Sequence, residues 1–288
     1  MASAAGPGWG TLEVMRLPRS STMAALSVAL AGMAAAARAQ PTPPHTKVSL
    51  LAETDAVRPG RPLHLAVRLQ MEPGWHTYWR NPGDAGLPTR VRWTLPSGFE
   101  AGEVRWPYPQ RFTQGPVGSY GYAREVLLLD EVRVPASPVN HEVRIGAHVD
   151  WLECQEACLP GKTDVSLVLP VRAAAGPGPD AAAFAEARGR LPVSDPAWRF
   201  GAATAAGDVV LTVTPPPGTT VSDASFFPVR PRLLDHGKPQ RLERTAGGFR
   251  LLLPRDPNGT LAQHLDGVLV AQSGGRTRAL EVDVALAR

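Results

Sequence analysis

Thirty prolines and 28 glycines are spread through 288 residues, and the apolar residues between them fall in short alternating runs. Leu63–Leu69, Val126–Val134, Glu142–Val149 and Val165–Val171 are such runs, each bounded by proline, glycine or polar turn residues. A period of two puts successive side chains on opposite faces of a strand, so the pattern predicts an all-β chain built as an antiparallel β-sandwich.

One segment departs from it. Asp180-Ala-Ala-Ala-Phe-Ala-Glu-Ala-Arg-Gly189 is helix-forming, follows the linker Gly176-Pro-Gly-Pro179 and opens on an aspartate suited to cap it. Strand patterns then resume at Asp208–Thr214, Gly248–Leu253, Gly267–Ala271 and Leu280–Val284. The expected organisation is a β-sandwich over 40–175, a linker with a short helix over 176–195, and a second small β domain over 196–288. The last contains one tryptophan, Trp198, and no cysteine, and its sequence suggests only a packing or spacer role.

The N-terminus reads as an export signal. Met15-Arg-Leu-Pro-Arg19 is a basic n-region, Met23–Ala37 is apolar or small apart from Ser27, and Ala37-Arg38-Ala39 is a cleavage site. That run is shorter than the roughly 18 residues needed to span a bilayer. Residues 1–39 are therefore expected to be a cleaved signal peptide with Met15 as its start, which puts the mature chain in a bacterial periplasm. The net charge is +4, with three lysines and otherwise scattered arginines, and no basic run invites nucleic acid. No Ser-His-Asp order, glycine-rich phosphate loop or carboxylate pair supports a hydrolase or a nucleotide enzyme.

The chemistry-bearing feature is the pair of cysteines in Trp151-Leu-Glu-Cys154-Gln-Glu-Ala-Cys158-Leu-Pro160, the only two in the chain. In an oxidising compartment this spacing allows three roles. A bridge would close a loop of about five residues, worth only about 2 kcal/mol as a staple by chain entropy. As an exchangeable dithiol the spacing is apt, because one thiol resolves a mixed disulfide formed at the other. Two thiolates also suit Cu(I), with His45, His64, His76, His141, His148 or Met71 as further ligands. Pro160 suggests an irregular loop, exposed enough to react. His148, six residues before Cys154, is placed to lower a thiol pKa if it faces the pair. Trp75, Thr77 and Trp79 alternate with His76, Tyr78 and Arg80, which predicts a strand with both indoles in the core, followed by a turn at Asn81-Pro-Gly-Asp84.

Five motifs occur in order: Trp75-His-Thr-Tyr-Trp-Arg-Asn-Pro-Gly-Asp-Ala-Gly-Leu-Pro88, Trp93-Thr-Leu-Pro-Ser-Gly-Phe99, Trp106-Pro-Tyr-Pro-Gln-Arg111, Tyr120-Gly-Tyr122 and the cysteine segment. Over about 48–171 the chain resembles the N-terminal periplasmic domain of DsbD-type thiol:disulfide interchange proteins, especially their ScsB-like branch. The resemblance implies an immunoglobulin-like sandwich that acts as a protein-disulfide reductase component and needs no cofactor. It would take electrons from a membrane thiol reductase by way of a thioredoxin-like domain and pass them to periplasmic thiol-disulfide proteins. Such modules belong to cytochrome c biogenesis and copper tolerance. Carried onto this chain, the family's roles make Cys158 the partner-engaging thiol and Cys154 the resolving one. A family loop that covers the idle pair falls at Gly115–Tyr122, with Tyr120, Gly121 and Tyr122 as the cap. The best-studied members space their cysteines more widely, and the acidic residues beside their cap have no clear counterpart here. Neither the membrane domain nor the thioredoxin-like domain lies within these 288 residues. The rival readings are a Cu(I) chaperone and a non-catalytic adaptor whose disulfide is only structural.

Overall fold

The computed structural model describes residues 44–137, 140–260 and 262–287. The expected signal peptide lies outside the described residues. In chain order the first part comprises β1 (Thr46–Ala52), β2 (Leu63–Met71), β3 (His76–Gly83), β4 (Arg90–Thr94), β5 (Glu100–Ala101), β6 (Gln110–Gln114), β7 (Val117–Ala123), β8 (Glu125–Arg133), β9 (Glu142–Cys154) and β10 (Cys158–Pro170). A helix, α1 (Ala181–Gly189), follows. Then come β11 (Arg199–Ala205), β12 (Asp208–Thr214), β13 (Val221–Pro228), β14 (Arg241–Thr245), β15 (Gly248–Leu253), β16 (His264–Ser273) and β17 (Arg276–Ala287).

The first ten strands make two facing sheets, one ordered β1-β2-β8-β5 and the other β10-β9-β3-β7-β6, with β4 also paired to β9. Every pairing within them is antiparallel, as an immunoglobulin-like sandwich requires. Leu63, Leu65, Val67 and Leu69 of β2 face Val143, Ile145, Ala147, Val149 and Trp151 of β9 in one core. The intervening residues of β9 are at least partly exposed as far as Leu152, which is the alternation the sequence displays.

The continuous apolar run Leu127-Leu-Leu129 has a different cause. Leu128 enters the sandwich core, whereas Leu127 and Leu129 point outward and are covered, with Leu51 and Ala66, by Phe184, Ala187 and Leu191. Nine residues are too few for a helix to hold its shape alone, so this apolar contact is what stabilises α1. Asp180 does occupy its N-cap position, but its side chain caps nothing. The carboxylate instead accepts from Arg68 at 3.4 Å.

The remaining strands form a single sheet, β13-β16-β17-β11-β12-β15-β14, with its own core around Leu211, Phe226, Leu251 and Leu269. Trp198 is buried there at 5% exposure. This sheet also contributes Phe227, Val268 and Ala279 to the core of the sandwich. Phe227 meets Trp79 and Tyr120 edge-on, with ring centroids 6.3 and 5.1 Å away. The expected turn at Asn81–Asp84 begins only at Asp84; Asn81–Gly83 are a bulged continuation of β3, where pairing with β7 skips from Tyr78 to Gly83. The bulge turns the buried Asn81 amide toward this sheet, where it donates to the carbonyls of Pro228 (2.7 Å) and Arg230 (3.3 Å).

Because Phe227 belongs to both bodies, Phe227→Ala is expected to destabilise the whole by about 3–5 kcal/mol. Urea unfolding followed by tryptophan fluorescence and by far-ultraviolet circular dichroism should shift together. A loss confined to the signal of the second sheet would contradict the shared core.

Candidate functional site

The cysteines occupy the last position of β9 and the first of β10. The two strands pair without a break from Glu142↔Pro170 to Cys154↔Cys158, so the disulfide bridges directly opposed residues at the mouth of a hairpin. Their Cα atoms are 4.2 Å apart, near the spacing of a non-hydrogen-bonded antiparallel pair. The expected irregular loop is thus only the exposed turn Gln155-Glu156-Ala157, and Pro160 lies inside β10, where a strand with a free edge tolerates it.

Alternation sets the rest. Trp151 and Glu153 of β9 point into the sandwich, which puts Cys154 on the outer face. Glu153 is buried at 1% exposure, and its carboxylate accepts from the indole N–H of Trp151 (2.9 Å) and the backbone N–H of His45 (2.8 Å). In β3, Thr77 and Trp79 point inward, so His76 and Tyr78 share the outer face with Cys154, and His76 is its cross-strand neighbour. The Tyr78 hydroxyl donates to Cys154 Sγ at 2.8 Å and lies 3.6 Å from Cys158 Sγ. The Tyr78 ring rests against Gly86, whose φ of 105° and missing side chain leave the room; a Cβ there would stand 2.2 Å from a ring carbon.

Covered in this way, Cys154 is only 3% exposed although it is on an outer face, whereas Cys158 is exposed. The two sulfurs form the floor of a cleft of about 510 Å³. Its walls are His76 and Tyr78 on one side and, on the other, Arg111, Phe112, Thr113, Gln114, Val117 and Ser119 of the β6–β7 hairpin. His76 stacks on Phe112 with centroids 4.4 Å apart and meets Tyr78 edge-on at 5.3 Å. Burial holds the His76 imidazole below its ordinary pKa, which favours the neutral ring, and pushes the Tyr78 phenol up, which keeps its proton available for donation.

The expected cap is placed differently. The segment Gly115–Tyr122 does border the cleft, through Val117 and Ser119. Tyr120 and Tyr122 have the opposite parity and are buried, each 1% exposed. Tyr120 bonds His236 at 2.9 Å, and Tyr122 donates to the Pro107 carbonyl at 2.7 Å. Gly121 is opposite Tyr78, and its lack of a side chain lets β7 approach the Thr77 carbonyl. The phenol on the sulfurs is Tyr78, and the aromatic ring of the facing wall is Phe112. Tyr78 was legible as a strand residue alternating with the tryptophans. Phe112 had no signal beyond its nearness to the expected loop.

The proposed ligands are scattered. His148 bonds Asp164 at 2.8 Å and, six residues back along an extended strand, lies roughly 20 Å from Cys154. His45 pairs with Glu72 and stacks on Trp75, His64 faces Glu131, and Met71 Sδ accepts from Thr77. Of the named set only His76 lines the cleft. Among the described residues no three His, Cys, Asp or Glu side chains converge as a metal site. No helix among them is long and apolar enough to cross a membrane.

Residues 47–170 match the family model of the N-terminal domain of the thiol:disulfide interchange protein DsbD. The N-terminal periplasmic domain of ScsB from Proteus mirabilis superposes with a TM-score of 0.59 at 18% identity, over 86% of this chain and 96% of that one. That breadth takes in the second sheet as well as the sandwich, and it establishes a shared fold. The reduced N-terminal domain of DsbD from Neisseria meningitidis aligns over 45% of this chain and 90% of its own, at 12% identity and a TM-score of 0.23, too low to bear on the fold. No curated protein matches the chain.

Replacing Tyr78 by Phe removes the donor to Cys154 while keeping the ring. In reduced protein the Cys154 thiol pKa is expected to rise by about one unit, because a hydrogen bond to the thiolate is lost. Thiolate absorbance against pH in a Cys158→Ser background measures it, and an unchanged titration would contradict the assigned contact.

Proposed function

We propose that this chain, whose residues 47–170 match the model of the DsbD N-terminal domain, is a periplasmic thiol-disulfide exchange module that relays electrons through Cys154 and Cys158. The proposal divides it into a redox sandwich (40–175), a connector (176–195) and a second β domain (196–288), behind a cleaved signal (1–39). The carrying observation is the asymmetry of the pair: an exposed Cys158 and a Cys154 buried beneath Tyr78.

Exchange requires an attacking thiolate to approach one sulfur along the disulfide axis while the other departs. Cys158 is the more exposed sulfur and is reached through the walled cleft, so Cys154 is the leaving sulfur, with the Tyr78 hydroxyl placed to donate to the thiolate it becomes. In the loading direction, a donor dithiol attacks Cys158 Sγ, forms a mixed disulfide and frees Cys154 as a thiolate. The donor's second thiolate then attacks its own sulfur in that mixed disulfide. The donor leaves oxidised, and both cysteines are reduced by two electrons, with protons taken from solvent. In the delivery direction, the Cys158 thiolate attacks a partner disulfide and releases one partner thiolate. Cys154 then attacks Cys158 Sγ, restores the intramolecular disulfide and releases the second partner thiol.

The donor in this scheme is the thioredoxin-like domain of a membrane thiol reductase, and the acceptors are periplasmic thiol-disulfide proteins. The β6–β7 hairpin serves as the cap, with Phe112 in the position expected of Tyr120 or Tyr122. The neutral His76 keeps the cleft apolar around the sulfurs.

Equilibrating purified protein across thiol buffers, then alkylating and weighing it, gives the reduction potential. A value within about −120 to −270 mV is expected of a working relay, and one below about −300 mV would make the bridge structural. Cys154→Ser should accumulate a mixed disulfide with a partner through Cys158, whereas Cys158→Ser should not. Equal trapping by both variants would overturn the division of roles.

A further inference from the structure

The β6–β7 hairpin is a two-faced slab, and each face touches a different part of the protein. Its register pairs Phe112 with Ser119 and Gln114 with Val117 on the face that walls the disulfide cleft. The alternate positions, Arg111 with Tyr120 and Thr113 with Gly118, start from the other face, although Arg111 and Thr113 also border the cleft. At this edge of the sandwich the space beneath that second face is filled by the second β domain.

The contact is made by the loop after β13. Arg111 donates from Nε (3.1 Å) and Nη2 (2.7 Å) to the carbonyl of His236, and from Nη2 to that of Lys238 (2.7 Å). The Tyr120 hydroxyl shares a hydrogen bond with Nδ1 of His236, which is 3% exposed. The two backbones touch through reciprocal glycines. A Cβ on Gly118 would stand 1.8 Å from the His236 carbonyl oxygen, and one on Gly237 would stand 1.8 Å from that of Pro116. The loop itself is rooted: Leu233 and Leu234 are in the second core, and Asp235 accepts from the backbone of Gly237 and pairs with Lys238.

From this we propose that the second β domain is the positioning element of the redox site: through Arg111 and Tyr120 its 235–238 loop holds the β6–β7 wall against the cleft over Cys154–Cys158. The wall is therefore not a free flap. For Phe112 and Val117 to move off the cleft, the hairpin must surrender three hydrogen bonds from a guanidinium and one shared between a buried phenol and His236. Access to Cys158 is thus set from a domain that contains no cysteine. Arg111, Tyr120 and His236 act as positioning residues and touch neither sulfur.

The inference rests on the redox reading for its consequence, but its test reads only how readily the disulfide is reached. Reduction of the purified chain by dithiothreitol at fixed pH would be timed for the parent, Arg111→Ala, Arg111→Lys and Tyr120→Phe. Arg278→Ala, which breaks an exposed pair with Asp195 elsewhere in the second domain, is the control. Arg111→Ala is expected to be reduced about tenfold faster, the scale of losing a charged hydrogen bond. Arg111→Lys should recover part of that, Tyr120→Phe should accelerate less, and the control should match the parent. Amide hydrogen exchange should quicken at 110–120 while β9 and β10 stay protected. If Arg111→Ala proves poorly folded, Tyr120→Phe carries the same comparison. Parent-like rates in folded variants would overturn the proposal, as would exchange that quickens equally across the whole sandwich. A reduction potential outside the working range would instead defeat the redox reading and leave the ratio of rates intact.

Discussion

The unbroken ladder between β9 and β10 is the constraint on which the site depends. Because pairing runs in one register from Glu142↔Pro170 to Cys154↔Cys158, the cysteines arrive opposite each other with no loop rearrangement. That register is held along its length by the inward residues Val143, Ile145, Ala147, Val149 and Trp151, each buried in the sandwich core. A slip of one residue would expose all five and carry the cysteines to opposite faces, so the core and the disulfide specify the same alignment. A loop this short contributes only about 2 kcal/mol by chain entropy, and the proposed exchange draws on the position of the disulfide instead.

That position makes two like residues unlike. Both sulfurs lie on the outer face of a sheet, where exposure is the default, yet Tyr78 and the turn through Gly86 cover one and leave the other open. In the proposed exchange, such covering separates the sulfur that is attacked from the one that leaves. It also places a hydroxyl proton, held firmly by burial, beside the sulfur on which charge would develop.

The second sheet is bound into this arrangement. Phe227 inserts between Trp79 and Tyr120, the Asn81 amide satisfies two carbonyls across the boundary, and Arg111 reaches the 235–238 loop. Buried polar groups satisfied across a boundary make separation costly, since each would be left unpaired. By the inference drawn above, the site at the end of the sandwich is held in part by the neighbouring sheet.

Much of this was legible in the chain. The runs at 63–69 and 142–149 determined strands and their inward residues, since a period of two is a local property of an extended backbone, whereas the unbroken Leu127-Leu-Leu129 marked a strand without showing which face was inward. The cysteine pair narrowed the chemistry to a staple, an exchangeable dithiol or a soft-metal site, and the Trp75–Arg80 alternation already assigned Tyr78 to the face opposite Trp79. Tyr120 and Tyr122 were misread because the motif around them marks kinship without revealing parity. Which face of β7 meets the cleft depends on how β3, β6 and β7 are joined, and on the bulge after Tyr78. Phe112 over the cleft, the burial of Cys154 against the exposure of Cys158, and the reach of Arg111 to His236 were decided only by tertiary structure. Each joins residues far apart in sequence, and such contacts exist only once the sheets have packed and the strands have been ordered.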